Sequence, residues 1–472
     1  MGKPIVRIIS AELNNFRNVE RGVIHFACNT KKNIFDGGSD VLGIYGQNGS
    51  GKTAFIRALS TLDSLLSGGR LSKDILNYIN VGNDNCRLSF LFSLTDNDSF
   101  YKVKYDFCLK KREPEERSKD IDLDFVDDPD QIPVIVLHER LSYSSLAEGK
   151  WSNMKPIIDY DATSDELFTP KVRLDEITGK NQNVIDNLRV AKKLAIKQST
   201  SFVFSNDTLK QINKSTNSEY KDIIFGISNF GKINLYIIDS QNSGLINANL
   251  ILPINIKTSD QRTMGIIPIK LESATEIPED VFNLIVGAFN TLNTVLHKII
   301  PGLTVEVLET GKHLLENGKI GITVELSSKK DGKYVPFRYE SDGIKKIVSV
   351  LHMLIFMYNN PSMTVAIDEL DSGIFEYLLG EILKIIEESG RGQLIFTSHN
   401  LRPLEMLNKN SIIFTTANPK NRYIRFTNVR PNNNLRNLYY HDLFLGGQKE
   451  CIYEPTNSFA INRAFRMAGE RQ

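Results

Sequence analysis

Three short segments carry residue types that can handle a phosphoanhydride. The first, Gly46-Gln47-Asn48-Gly49-Ser50-Gly51-Lys52-Thr53, matches G-x-x-x-x-G-K-[ST] at every fixed position. Glycines at these places let the backbone curl until successive N–H groups and a helix N-terminus face a β-phosphate. Lys52 is then placed to reach the β- and γ-phosphates and Thr53 to hold Mg²⁺. The second, Met363-Thr364-Val365-Ala366-Ile367-Asp368-Glu369, is an apolar run ending in two carboxylates. Adjacent residues on a strand point to opposite faces, so the two acids have separate tasks. Asp368 suits Mg²⁺ binding through water, and Glu369 suits polarising an attacking water. The third, Gln393–Thr397, leads into Ser398-His399-Asn400, where His399 can sense a γ-phosphate. Taken singly, each has a plain alternative: a structural glycine turn, a strand end with two solvated acids, a surface histidine. Together they point to ATP and Mg²⁺ as cofactors and to hydrolysis of ATP.

Each segment needs an element to position it. An apolar strand, Val41–Tyr45, runs into the glycine-rich loop, and Phe55, Ile56, Leu59, Leu62 and Leu66 then recur at helical spacing until Gly68-Gly69. Upstream, Ile5–Ile9 and Val23–Phe26 read as strands. Alternation between Cys86 and Leu109 predicts an antiparallel hairpin beside the core. Asn183–Ile196 reads as a helix whose Arg189, Lys192 and Lys193, with Lys197 just beyond, form a solvated face, with a phosphate-binding stripe as the alternative. Residues 199–271 are rich in Asn, Ser, Ile and Lys, with short β-like runs and no recognisable chemistry. A helix with Pro278 in its first turn continues to Ile299 before Pro301-Gly302, and strands are predicted at Thr304–Leu308 and Ile320–Leu326.

The order of these parts resembles an ABC-type ATPase head: phosphate loop, acidic strand with Leu370-Asp371-Ser372 after it, then a strand ending at His399. That family places a signature serine and glycine at a helix N-terminus, closing over a nucleotide held by a second subunit. Tyr339-Glu340-Ser341-Asp342-Gly343-Ile344-Lys345-Lys346 stands in that position, so the resemblance implies that Ser341 and Gly343 bind nucleotide in trans. The segment departs from Leu-Ser-Gly-Gly, and a plain Ser-Asp helix cap is the alternative. Glu12-Leu13-Asn14-Asn15-Phe16-Arg17-Asn18 resembles the first strand of the SMC, RecF and OLD-like branch. No long heptad pattern marks a coiled-coil arm. The region around His138-Glu139-Arg140 falls where the loop linking Mg²⁺ to the insertion is expected. The implied fold class is α/β: a P-loop ABC-ATPase head, mixed sheet with antiparallel β-subdomain, and a large α+β insertion. The expected domains are 1–110 and 301–415 for the two lobes of the head, 111–300 for the insertion, and 416–472 for a basic tail closing the head. Too few residues follow His399 for a TOPRIM nuclease domain, so none is expected.

Size and the segments Ile367–Phe375 and Gln393–Leu404 further resemble OLD-like anti-phage ATPases, such as the ATPase subunits of PARIS-like defence systems. This implies a homodimer or higher homo-oligomer that restrains a partner effector, a TOPRIM-type nuclease, until a phage trigger protein is sensed. A RecF-like DNA-repair ATPase and a nucleotide-binding scaffold with little turnover are the alternatives.

Composition narrows the field. The 472 residues include 57 Lys+Arg against 56 Asp+Glu, a net charge of +1, which gives no global basic field for nucleic acid. The balance is a cancellation: 113–130 holds nine acids and two bases, while 401–472 holds eleven bases and five acids. Asp120, Asp122 and Asp124 are spaced like metal ligands but belong to that charge run. Tail bases interleaved with Phe426, Tyr439, Tyr440 and Phe444 suit nucleic acid, an acidic protein or the acidic insertion, so a DNA contact has a place but is not favoured. Cys28, Cys86, Cys108 and Cys451 are scattered with no metal spacing, and no apolar run is long enough to cross a bilayer. A cytoplasmic location without a membrane partner is expected.

Overall fold

Runs of β-branched and aromatic residues broken by polar turns build most of the chain into sheets. The computed structural model describes residues 4–26, 38–96, 99–112, 132–214, 217–238, 249–257, 262–271, 273–314, 318, 320–427 and 434–469. The acidic run 113–130, with Asp120, Asp122 and Asp124, lies outside them, as does Cys28.

In chain order, β1 (Ile5–Phe16), β2 (Val19–His25) and β3 (Asp40–Tyr45) precede α1 (Lys52–Leu66). Then come β4 (Asn85–Asp96), β5 (Ser99–Lys111), β6 (Val134–Ala147), β7 (Lys150–Trp151) and β8 (Lys155–Asp161). Helices α2 (Lys171–Thr178), α3 (Gln182–Gln198), α4 (Asn206–Ile212) and α5 (Ser218–Asn229) lead to β9 (Leu235–Ile238). Strands β10 (Asn249–Lys257), β11 (Arg262–Lys270) and β12 (Thr275–Pro278) are followed by α6 (Glu279–Ile299). Strands β13 (Thr304–Leu314), β14 (Ile320–Lys330) and β15 (Lys333–Pro336) lead to α7 (Asp342–Asn359). The chain continues through β16 (Thr364–Ile367), α8 (Glu376–Ser389), β17 (Gln393–Thr397) and α9 (Pro403–Met406). Strands β18 (Ile412–Thr415) and β19 (Tyr423–Ile424) and helices α10 (Leu435–Leu445) and α11 (Ser458–Gly469) complete it.

The central sheet has the order β19-β18-β3-β17-β16-β9, parallel except for β19. Parallel strands are covered on both faces, which is why they read as continuous apolar runs. Leu42, Ile44, Ala366 and Ile395 face α1 and the antiparallel sheet, whereas Val41, Tyr45, Val365 and Phe396 face α7 and α8. The antiparallel sheet, order β2-β1-β4-β5-β6-β7 with β8 on β6, packs against the first face. The fold is thus mixed α/β with an antiparallel sheet beside the main one.

Gln393 ties the two sheets. Fully buried on β17, it accepts from Ile8 N at 2.8 Å, donates to Ile8 O at 2.8 Å and to Asp40 Oδ2 at 3.1 Å, and accepts from Thr364 Oγ1 at 3.1 Å. It acts as a strand neighbour where β1 bulges between Ile8 and Ser10.

The predicted hairpin forms as β4 and β5, and the helices after Lys52, around 183–196 and after Pro278 form within a few residues of their expected bounds. The β-like reading of 199–271 needs correction in its first half, which is helical. Ser205 and Asn217 accept from Thr208 N and Tyr220 N as side-chain caps, and Tyr220, Ile223, Ile224 and Ile227 bury one face at helical spacing. Within the same stretch, β9 pairs with β16 in the central sheet, although it belongs to the 111–300 segment expected as an insertion.

Candidate functional site

Strand β3 delivers the chain into the glycine-rich loop, and α1 leaves it. A Cβ on Gly46 would fall 1.8 Å from Thr415 Oγ1, and Gly51 has φ 103°, so both positions need glycine. The first turn of α1 has no acid and no side-chain cap, which leaves its N–H groups free for an anion. Lys52 is folded back, donating to Gly46 O at 2.8 Å and Gln47 O at 3.1 Å. Burial lowers its pKa, opposed by the charges of Asp368, Glu369 and Asp371. The loop is held from beneath by C-terminal residues that carried no motif. Thr415 Oγ1 lies 2.5 Å from Ser50 Oγ, which also donates to Gln47 O at 2.5 Å, and Tyr423 Oη donates to Gly51 O at 2.8 Å. Arg422 donates to Asn18 O and Thr416 O, both at 2.6 Å, while Asn18 Nδ2 donates to Gly49 O.

Strand β16 lies between β9 and β17, and Asp368 N continues its ladder to Ile238 O at 2.8 Å. Asp368 is 1% exposed, and Glu369 is exposed on a backbone with φ 50°; both follow the end of β16 at Ile367, past the strand alternation, and both line one cleft. Thr397, at the end of β17, orients both: its Oγ1 donates to Asp368 Oδ1 at 2.6 Å and accepts from Glu369 N at 2.8 Å. Asp368 Oδ2 is buried without a hydrogen-bond partner. An orphaned carboxylate oxygen near a phosphate loop fits a water-bound cation. Asp371 Oδ2 accepts from His399 N at 3.1 Å and Asn400 N at 3.0 Å, fixing the turn that exposes the His399 ring.

These pieces line one cleft of about 840 Å³. Asn48, Gly49, Gly51, Lys52 and Thr53 form one wall, and Asp368, Glu369 and His399 another. Gly46, Gln47 and Ser50 belong to the loop but not to the cleft wall; the Gln47 side chain instead exchanges hydrogen bonds with the Glu454 backbone, 3.1 and 3.4 Å. Arg17, Asn77 and Asn80 also line the cleft and were given no role from the sequence. Arg17 has φ 54°, donates its N–H to Tyr78 O at 2.7 Å and stacks over the Tyr78 ring. The only signal was its place in Phe16-Arg17-Asn18.

No protein-family model matches this chain, and no curated protein matches it. Several solved structures are similar in outline. An SMC head domain with extended coiled coil, bound to the C-terminal domain of ScpA and derived from Pyrococcus furiosus, shares 13% identity over 90% of this chain and 97% of its own, with a TM-score of 0.38. The SMC head domain from Thermotoga maritima shares 13% identity over 89% and 99%, with a TM-score of 0.36. The recombination mediator protein RecF shares 13% identity over 84% and 94%, with a TM-score of 0.34.

The remaining expected site residues lie elsewhere. Ser341 caps α7, accepting from Ile344 N at 3.4 Å, and Gly343 abuts the Gly373 carbonyl, where a Cβ would come within 2.4 Å. Neither lines the cleft of its own chain. Lys346, buried on the same helix, has its pKa lowered by burial, opposed by Glu369, Asp368 and Asp371. Glu139 does not line the cleft: fully buried on β6, it accepts from Tyr105 Oη and Ser201 Oγ at 2.5 Å and Phe202 N at 2.6 Å. It is a packing pin, so the His138–Arg140 region does not supply a cleft residue. Several tail arginines are already engaged: Arg402 and Arg436 pair with Glu405, while Arg422 and Arg425 donate to backbone carbonyls. Cys86, Cys108 and Cys451 are free thiols, and among the described residues no helix is long and apolar enough to cross a membrane.

Proposed function

We propose that this protein is an ATP-hydrolysing, ABC-type conformational engine. The observation that carries the reading is one cleft in which Asn48, Gly49, Gly51, Lys52 and Thr53 of the phosphate loop meet Asp368, Glu369 and His399, which follow neighbouring parallel strands. Lys52 leaves its two carbonyls for the β- and γ-phosphates. Thr53 and the free oxygen of Asp368 are the positions for Mg²⁺, which supplies neutralisation of phosphate charge when bound. Glu369 holds and polarises the attacking water, and His399 contacts the terminal phosphate. Ser341 and Gly343, absent from their own chain's cleft, serve the nucleotide of a second copy, so ATP closes a homodimer and hydrolysis opens it. The output is control of a partner effector, which we assign to a TOPRIM-type nuclease restrained until a phage protein is sensed in antiviral defence. Engagement of Arg402, Arg422, Arg425 and Arg436 within the chain supports a protein partner over DNA.

The test is Glu369→Gln. Equilibrium binding should show ATP affinity near wild type, turnover lost by about a hundredfold or more, and an ATP-dependent dimer that persists. A wild-type protein that neither binds ATP nor changes size when it is added would sink the reading.

A further inference from the structure

Glu369 has a backbone that is held and a carboxylate that is not. Its N–H donates to Thr397 Oγ1 at 2.8 Å and its carbonyl accepts from Ser372 N at 3.1 Å, which fixes the residue at φ 50°, an uncommon value for a side chain of this kind. The side chain is exposed, and among the described residues its carboxylate takes part in no hydrogen bond or ion pair. A glutamate left to itself spreads over several rotamers. A general base must be aimed as well as placed, so a neighbour has to orient this carboxylate. Two lysines have the charge for it. Lys52 and Lys346 both interact with Asp368, Glu369 and Asp371, Lys52 most strongly with Asp368 and Lys346 most strongly with Glu369. Lys52 is bound to the carbonyls of Gly46 and Gln47 and is the residue placed to reach phosphate.

Helix α7 sets where Lys346 stands. Gly343 and Lys346 are three residues apart and share one face of the helix. On that face Gly343 meets the turn after Glu369 so closely that a Cβ on Gly373 would fall 3.3 Å from Gly343 Cα. One residue beyond Lys346, Ile347 joins Val350, Leu370 and Ile374 around a small apolar pocket. The start of α7 is thus seated on residues 370–374, and Lys346, 5% exposed, is buried at that seat. Among the described residues its ammonium makes no hydrogen bond or ion pair, so its position follows the helix and not a bonded partner. Burial disfavours the ammonium, and the three acids favour it. Lys346 does not line the cleft, so it meets the acids from behind. We propose that Lys346 is a positioning residue whose charge, held behind the cleft by α7, aims the Glu369 carboxylate at the attacking water. This rests on the ATPase reading and adds to it a residue that acts only through Glu369.

The experiment uses the full chain with Mg²⁺ and ATP. Lys346→Met keeps the length of the side chain and its apolar stem and removes the charge. Its kcat should fall by about tenfold or more, while the equilibrium Kd for ATP stays at the wild-type value. Lys346→Arg, which keeps the charge, should retain several times more kcat than Lys346→Met. Added to Glu369→Gln, Lys346→Met should lower the residual turnover no further, because its effect runs through that carboxylate. A residue that only packs gives another pattern: ATP binding weakens together with kcat, and the loss persists in the Glu369→Gln background. That pattern, wild-type kcat in Lys346→Met, or Lys346→Arg no better than Lys346→Met would each overturn the proposal. If Lys346→Met does not fold, Lys346→Gln is read in the same way, and failure of both to fold would make Lys346 a structural residue and overturn it as well. Absent ATP binding by the wild type, or full turnover in Glu369→Gln, strikes the ATPase reading itself; failure in the Lys346 variants alone strikes only this proposal.

Discussion

Asp63 sits on α1 near Tyr236, and burial pushes its carboxyl up to about 7 from an ordinary 3.8. A carboxyl whose folded pKa is raised favours the fold while protonated. As pH rises from about 4 to about 7, the unfolded chain ionises first, so stability falls through that window and stays reduced above it. Full expression of the shift corresponds to a ceiling of about 4 kcal/mol. Asp63→Asn should therefore raise the Tm clearly at pH 8 and little at pH 4.5; equal gains at both values would refute the assignment. The same residue-level physics explains what the sequence hid in the site. Lys52, Thr53, Asp368, Glu369 and His399 were legible because fixed spacing brings each next to a strand end, and the structure gathers them in one cleft. Thr397 was not: a threonine closing an apolar strand has no distinguishing pattern, and its role exists only because β16 and β17 are neighbours, bringing its hydroxyl to Asp368 and to Glu369 N. Thr415 and Tyr423 were hidden for the same reason, since they reach the phosphate loop across more than 360 positions of chain.

Among the elements, long periodic segments were legible and short or bridging ones were not. Helix α6 has apolar residues at sustained helical spacing, and β4 and β5 alternate cleanly. Strand β9 is only four residues long in an Asn- and Ser-rich stretch, too short for a period to declare itself, yet it completes the central sheet beside the acidic strand. Gln393 is the element-scale counterpart, because a polar residue opening an apolar strand reads as a boundary, whereas here it is the bond between two sheets. Gln393→Ala removes four hydrogen bonds and leaves Ile8 N and O and Asp40 buried with fewer partners. Destabilisation of roughly 3 kcal/mol or more follows from that loss. Denaturant unfolding checks it, and a midpoint within error of wild type would show that β1 and β17 are held together by packing alone.

For the whole molecule, the separation of Ser341 and Gly343 from their own chain's cleft decides what an ATPase of the proposed kind must do. One chain has the phosphate loop and the acids; a second must bring its α7 N-terminus. A dimer built this way has two composite sites, each drawing on both chains, and the two are related by symmetry. Lys52→Ala disables a site through the chain that holds the nucleotide, and Ser341→Arg disables a site through the chain opposite. Either variant alone ruins both sites of its dimer. Mixed in equal amounts, they form hetero-pairs in which one site combines an intact Lys52 with an intact Ser341. Turnover of about a quarter of wild type is then expected if each composite site works alone, against near-background rates for each variant by itself. Measuring phosphate release before and after mixing gives the answer. If Ser341→Arg alone keeps wild-type turnover, Ser341 is only the cap of α7. If mixing restores nothing while the hetero-pair is seen to form, the two copies do not share their sites.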